Sequence, residues 1–418
     1  MSDLDQATTL SLEGADGVVR PPEDGLDALR GDAFGRLRDE PGSVAVAGGA
    51  IAALDDDPGA ELCLDARGYW IAPGLVDCHT HLPFAGWRAG EYADKVAGVP
   101  YSDIAARGGG IAASARALSE AGDDAVLGQA AGLAGEMLVW GTTTFERKSG
   151  YGLSIAGERR QLELGRELDA RVAQTTTSTG LLAHAVPPGT SAAAWLDEVE
   201  EALPGLVADG LLDALDIFVE EIAFGLEHIE RMGALAARHG LALRCHAEQF
   251  TTMRSVPVAI AAGARSVDHL AALDPDDVAV LGRAECAAVL LPGAEFLGEE
   301  RVAPARALAD AGALCVLATD LNPGTSPIAA LPVIAGLAVR RYGWSAAEAL
   351  AAMTLNAAWV LGLHRERGSL EAGKRADLVL LDAPVQHLPY RFGHDPVAGV
   401  VCGGRLVHAR ADLLERVR

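Results

Sequence analysis

Short runs of apolar and β-branched residues recur through the middle of the chain, separated by longer alanine- and leucine-rich stretches with helical spacing. The runs are WIAPGLVD (Trp70–Asp77), TTTFE (Thr142–Glu146), VAQTTTS (Val172–Ser178), LDIFVE (Leu215–Glu220), LALRCHA (Leu241–Ala247), SVDHL (Ser266–Leu270), AAVLLPG (Ala287–Gly293) and ALCVLATD (Ala313–Asp320). Between them, Asp123–Val139 and Gly157–Asp169 read as helices. Eight such alternations predict an α/β fold, an eightfold β/α (TIM-like) barrel. A doubly wound open sheet is the alternative, but no G-x-G-x-x-G follows a strand. GGGI (Gly108–Ile111) has neither a preceding strand nor an acidic partner and reads as a loop.

The two ends are patterned differently. Ser43–Leu54 and Glu61–Trp70 near the start, and Arg375–Ala383 and Val397–Ala409 near the end, read as short strands joined by glycine turns. They predict one small β-sandwich domain built from residues 1–72 and 370–418, around a catalytic barrel of residues 73–369.

Composition narrows the class. Half of the 418 residues are hydrophobic, enough for a large core and too many for general disorder. With 58 acidic against 34 basic side chains the formal net charge is −24, which disfavours nucleic acid and anionic membranes as partners. Ile328–Val339, the most apolar stretch, is interrupted by Pro332 and Gly336 and is too short to span a bilayer. MSDLDQATTL shows no basic region leading into an apolar run, and six scattered cysteines form no C-x-x-C pair. A cytoplasmic protein with reduced thiols is expected.

In such a barrel the chemistry lies at the carboxyl ends of the strands. The first strand ends in Asp77-Cys78-His79-Thr80-His81, and histidines at i and i+2 of an extended segment point the same way. The fifth ends in His246, the sixth in His269 and the eighth in Asp320. Imidazoles with a carboxylate suit Zn²⁺ or Fe²⁺ (or Fe³⁺), whereas Mg²⁺ and Ca²⁺ prefer all-oxygen shells. Asp320 alone would more often cap a helix. What counts is the coincidence of these residues at four strand ends.

PGLVDCHTH (Pro73–His81), the isolated His246, SVDHL and the strand ending in TD resemble the amidohydrolase superfamily. Within it, HTHLPFAGWRAGEY (His79–Tyr92), ERKSGYGL (Glu146–Leu153), Ala183–Ala185, HAEQF (His246–Phe250), LPGAEF (Leu291–Phe296) and TDLNPGTSP (Thr319–Pro327) resemble the imidazolonepropionase family. The first 60 residues match poorly. The resemblance implies one divalent transition metal held by His79, His81, His246 and Asp320, with His269 as catalytic histidine. It implies substrate contacts from Arg88, Tyr151, His184, Gln249, Asn322, Gly324 and Thr325, and it is compatible with a homodimer. No lysine ends the fourth strand at Val219-Glu220-Glu221 to bridge a second metal, so a mononuclear site is expected; Lys148, after the second strand, reads as structural.

The implied reaction is ring-opening hydrolysis of 4-imidazolone-5-propanoate to N-formimidoyl-L-glutamate in histidine degradation. A bound Zn²⁺ lowers the pKa of water to about 7 and polarises the carbonyl. Asp320 is then the expected base and proton shuttle, with His269 assisting at the water or oxyanion. A small anionic substrate needs local cations in so acidic a protein, and Arg88 offers a bidentate fork. Asn322 is expected to offer amide contacts to the ring nitrogens. Where some family members carry a glutamate, this chain has Gln249, which orients but does not titrate; Glu248 should face the opposite way. Trp87 either walls the pocket or packs. The rival readings are another mononuclear amidohydrolase, such as a nucleobase or aminated-ring deaminase, and a catalytically inactive binding scaffold.

Overall fold

The computed structural model describes residues 8–55, 60–298 and 301–418. Eight parallel strands follow one another in sequence order around one sheet. They are β1 (Leu75–Asp77), β2 (Thr142–Lys148), β3 (Thr175–Ala183), β4 (Ala214–Val219), β5 (Ala242–Ala247), β6 (Ala264–His269), β7 (Ala287–Leu290) and β8 (Leu314–Leu317). The ring closes just beyond β1 and β8. There Thr80 and Leu321 form a parallel bridge, His81 N donates to Leu321 O (2.9 Å) and Asp320 N donates to His79 O (3.0 Å). The expected eightfold barrel is therefore the observed one.

Every residue of β2 and of β4 is buried, as parallel strands covered outside by helices and packed inside must be. Asp123–Val139 is helical as expected. The helix Ile155–Asp169 starts where the Ser154 hydroxyl accepts from Gly157 N (3.0 Å), an N-cap that satisfies one of the first-turn donors. The apolar stretch at 328–339 supplies most of a core helix, Leu331–Tyr342, and no helix among the described residues is long and apolar enough to cross a membrane.

The second sheet draws on both ends of the chain, as expected, in the spatial order 405–409, 397–402, 378–381, 70–73, 9–20, 38–47 and 50–54, with 62–65 alongside 9–20. It has its own core around Leu12, Val44, Leu64, Ile71, Leu378 and Val401. Two details depart from the sequence pattern. The single run Trp70–Asp77 is two strands, for Trp70–Pro73 pairs in the terminal sheet and Leu75–Asp77 opens the barrel. Thr9–Arg20, the central strand of the terminal sheet, goes unmarked in the sequence because Gly14, Asp16 and Gly17 break its alternation, and its ladder carries two register shifts there.

Candidate metal centre and substrate pocket

His79 and His81 leave the end of β1, His246 lies in β5 and Asp320 follows β8. The barrel brings them together: one ligand atom from each of His79, His81 and His246 lies within 4.8 Å of the others. Asp320 Oδ1 is 3.2 Å from His81 Nε2 and 3.5 Å from His79 Nε2. His269, at the end of β6, holds its ring 5.3 Å from that of His246 at a tilt of 41°. Glu248, His269, Leu270 and Asp320 all adopt positive φ, a conformation costly for residues with a Cβ. Strain concentrated at the ends of three strands marks where the fold serves the site.

Two carboxylates stand behind the histidines. His79 Nδ1 is 2.6 Å from Asp268 Oδ2, and His246 Nδ1 is 3.2 Å from Asp216 Oδ1. A hydrogen bond at Nδ1 fixes the proton there and turns the Nε2 lone pair inward. His79 Nε2 and His246 Nε2 are buried with no hydrogen-bond partner. Buried polar atoms are rarely left so, and two lone pairs aimed at one point beside a carboxylate fit a divalent ion.

Protonation agrees with that fit. Burial, and then the Lys148 ammonium, hold His79 well below the usual imidazole range. Burial likewise lowers His81, against the pull of Asp320. Burial pushes the Asp320 carboxyl up, but its hydrogen bond to His81 and the neighbouring imidazoles outweigh that and leave it below the ordinary value. Neutral imidazoles and an ionised carboxylate are what a metal takes as ligands.

The pocket above the centre is lined by six of the seven expected substrate contacts: Arg88, Tyr151, His184, Gln249, Asn322 and Thr325. Arg88 is nearly enclosed and donates to Glu91 Oε2 (3.1 Å) and to Ser114 Oγ. His184 stacks on His81 at 5.5 Å and is held through Nδ1 by Gly150 O (3.0 Å). Gly324 is the exception; it lies under Arg88 and lines a separate outer cavity with Trp87, Tyr92 and Leu297. Trp87 is half exposed and packs edge-on against Phe84 at 5.2 Å, so it walls that outer cavity and not the metal pocket.

Asn322 departs from expectation. Its Nδ2 donates to Asp320 O (2.7 Å) and Thr325 Oγ1 (2.6 Å), and its Oδ1 accepts from Gly324 N and Thr325 N. Both amide hydrogens are spent inside the turn, so it shapes the loop that carries Thr325 and has no donor left for a ring nitrogen. Glu248 does turn away, accepting from Met253 N, Ser255 N and Ser255 Oγ. The reason is its left-handed backbone, since strand β5 has already ended at Ala247.

Tyr101, Ile111, Phe218 and Phe250 also line the pocket. Tyr101 stacks on Phe250 at 5.1 Å. Phe218 was visible as the apolar centre of LDIFVE and Phe250 as the end of HAEQF. Tyr101 and Ile111 come from the helical segment after β1, where nothing in the sequence distinguishes a pocket wall from a surface helix.

Comparison with known proteins agrees. A profile of the amidohydrolase family matches residues 150–408. The imidazolonepropionase of Cupriavidus necator is 42% identical over 410 residues, covering 96% of this chain and 97% of its own. That of Rubrobacter xylanophilus is 44% identical over 415 residues, covering 96% and 99%. The chain belongs to the imidazolonepropionase family. The amidohydrolase profile begins beyond His79 and His81, whereas the imidazolonepropionase relatives run nearly end to end. Among solved structures, a zinc-bound adenosine deaminase from Xanthomonas campestris superposes with a TM-score of 0.68 at 20% identity, over 97% of this chain and 96% of its own. Atrazine chlorohydrolase from Arthrobacter aurescens, complexed with zinc and atraton, gives 0.71 at 17%, over 96% and 95%. At those identities the likeness is one of fold, shared well beyond the imidazolonepropionases.

Proposed function

We infer that this chain is the hydrolase its family is named for, opening the ring of 4-imidazolone-5-propanoate to N-formimidoyl-L-glutamate in histidine degradation. The observation that carries the reading is an enclosed guanidinium, Arg88, lining the same pocket as the His79–His81–His246–Asp320 cluster. A neutral base offers nothing for that cation to hold; a propanoate tail does.

His79, His81, His246 and Asp320 are the residues to hold a single Zn²⁺ or Fe²⁺, which when bound supplies an acidified water and an electrophile for the carbonyl. Arg88 binds the substrate carboxylate, with Tyr151 beside it and His184 across the pocket. Asp320 Oδ2, turned toward Thr325 Oγ1 at 3.4 Å, takes the proton from the attacking water and returns it to the departing ring nitrogen. His269 hydrogen-bonds the oxygen that gains charge. Gln249, having no titrating proton, orients substrate or water. Lys148 is engaged by Asp216 and Glu146 inside the barrel, which supports a single-metal site. Six cysteines without disulfides support a cytoplasmic setting.

The test is turnover by metal-replete protein of imidazolonepropanoate against a panel of neutral cyclic amides and aminated bases. Selective consumption of the anionic ring is expected. Turnover of aminated bases with none of the imidazolone would replace this reading with deamination.

A further inference from the structure

We propose that Lys148 is a positioning residue for the metal centre, the shared counter-ion that aims the Asp216 and Asp268 carboxylates at the backs of His246 and His79. The proposal rests on the metal-centre reading above.

Lys148 is the last residue of β2, and its side chain is wholly enclosed. Its Nζ lies 2.6 Å from Asp216 Oδ2, 3.0 Å from Glu146 Oε2 and 3.9 Å from Asp268 Oδ2. Asp216 is left with Oδ1 for His246 Nδ1, and Asp268 turns the oxygen nearer the ammonium to His79 Nδ1. One cation therefore reaches both carboxylate–imidazole pairs. It donates to Asp216 and attracts Asp268 through space at 3.9 Å, as a compact point charge can and a bulkier planar guanidinium does not do in the same position.

The remaining contacts show why the lysine is decisive. Asp268 has a second anchor, because Ser266 Oγ donates to its Oδ1 at 2.6 Å, and Arg244 backs Ser266 at 3.3 Å. Arg244 also ion-pairs with Glu146, which sets the third wall around Lys148. Asp216 Oδ2 has the ammonium, while its Oδ1 is shared between His246 Nδ1 and Ile217 N (2.7 Å). Remove the ammonium and Asp216 Oδ2 loses its anchor, leaving the carboxylate to pivot about its remaining contact with Ile217 N, which weakens the bond that holds the His246 Nε2 lone pair toward the centre.

The test is Lys148→Met, of similar length and uncharged, with Zn²⁺ affinity measured by chelator competition and the absorption spectrum recorded on the Co²⁺-loaded protein. We expect affinity to fall about ten- to hundredfold, the range for loss of an outer-sphere partner. The Co²⁺ bands should shift, and KM at saturating metal should stay within about twofold. In an Asp216→Asn/Asp268→Asn background, adding Lys148→Met should change affinity by less than about threefold, since the lysine acts through those carboxylates. Wild-type affinity in folded Lys148→Met, or its full effect persisting in that background, overturns the proposal. Should Lys148→Met not fold, Lys148→Arg keeps the charge but replaces the compact, rotatable ammonium with a bulkier planar group. It should lose roughly tenfold in affinity, and unchanged binding there also overturns the proposal. Wild-type protein run alongside separates the two failures: if it binds no metal, the centre itself is misread.

Discussion

Gly324 lies directly beneath the guanidinium of Arg88: a Cβ at residue 324 would sit 2.0 Å from Arg88 Nη2 and 2.2 Å from its Cζ. Its φ is not positive, so the requirement for glycine here is space and not backbone freedom. Because Arg88 N also donates to Pro323 O (2.7 Å), the TDLNPGTSP loop fixes both the backbone and the head of the arginine.

Gly324→Ala should therefore act as a partial Arg88 lesion. KM for the anionic substrate is expected to rise about tenfold or more while kcat changes little, the signature of lost uniform binding. Arg88→Ala should be worse by a further order of magnitude, in line with about 1.5–3 kcal/mol for a charge-assisted contact. Steady-state kinetics on both variants checks this; an unaltered KM in Gly324→Ala would show that Arg88 does not hold the substrate.

Stripping the metal with a chelator should abolish turnover, and Zn²⁺ or Fe²⁺ should restore it. The melting temperature should fall in parallel, because an ion that binds only the folded chain stabilises it by mass action, about 4 kcal/mol at a thousandfold excess over Kd. Calorimetry of stripped and reloaded protein gives the measurement.

With His269 in the proposed role at the oxygen that gains charge, His269→Asn should lower kcat about 10²–10³-fold with KM and bound metal nearly unchanged. Asp320→Asn should lower kcat at least as far and also weaken the metal. Elemental analysis beside kinetics separates the two. Equal metal loss in both variants would make His269 a ligand.

Asn356 tests the join between the chain's beginning and the barrel. Buried, it accepts from Leu29 N (2.7 Å) and donates to Leu29 O (2.8 Å) and to Cys315 O in β8 (3.0 Å). Asn356→Ala strands three buried backbone groups and should cost about 3 kcal/mol or more in urea unfolding, at about 1–3 kcal/mol for each group left unpaired. The surviving folded fraction should keep its KM.

The barrel was legible because its strands announce themselves twice, by apolar runs and by the histidines and the aspartate that close four of them. His79, His81, His246 and Asp320 were readable for the same reason: strand ends in this architecture converge whatever lies between them. Three things were hidden. The division of Trp70–Asp77 depends on which sheet each half pairs with, and a one-dimensional pattern does not encode that. Thr9–Arg20 is held by its neighbours despite internal glycines, so tertiary pairing overrides local propensity. Asn322 had the chemistry of a ligand contact, but the turn consumes its hydrogen-bonding groups, and only three-dimensional bookkeeping reveals the loss.

The seam of the barrel runs between His79 and Asp320, joined backbone to backbone, and the two residues come from opposite ends of the ring. An ion held there, as proposed above, would work as a rivet through the last gap to shut. Nearly the whole domain must be synthesised before the second half of the rivet hole exists, so a nascent or truncated chain ending short of residue 320 has no complete cage to load. With the metal centre proposed above, cofactor capture would have to wait for completion of the ring, late in the life of the emerging polypeptide.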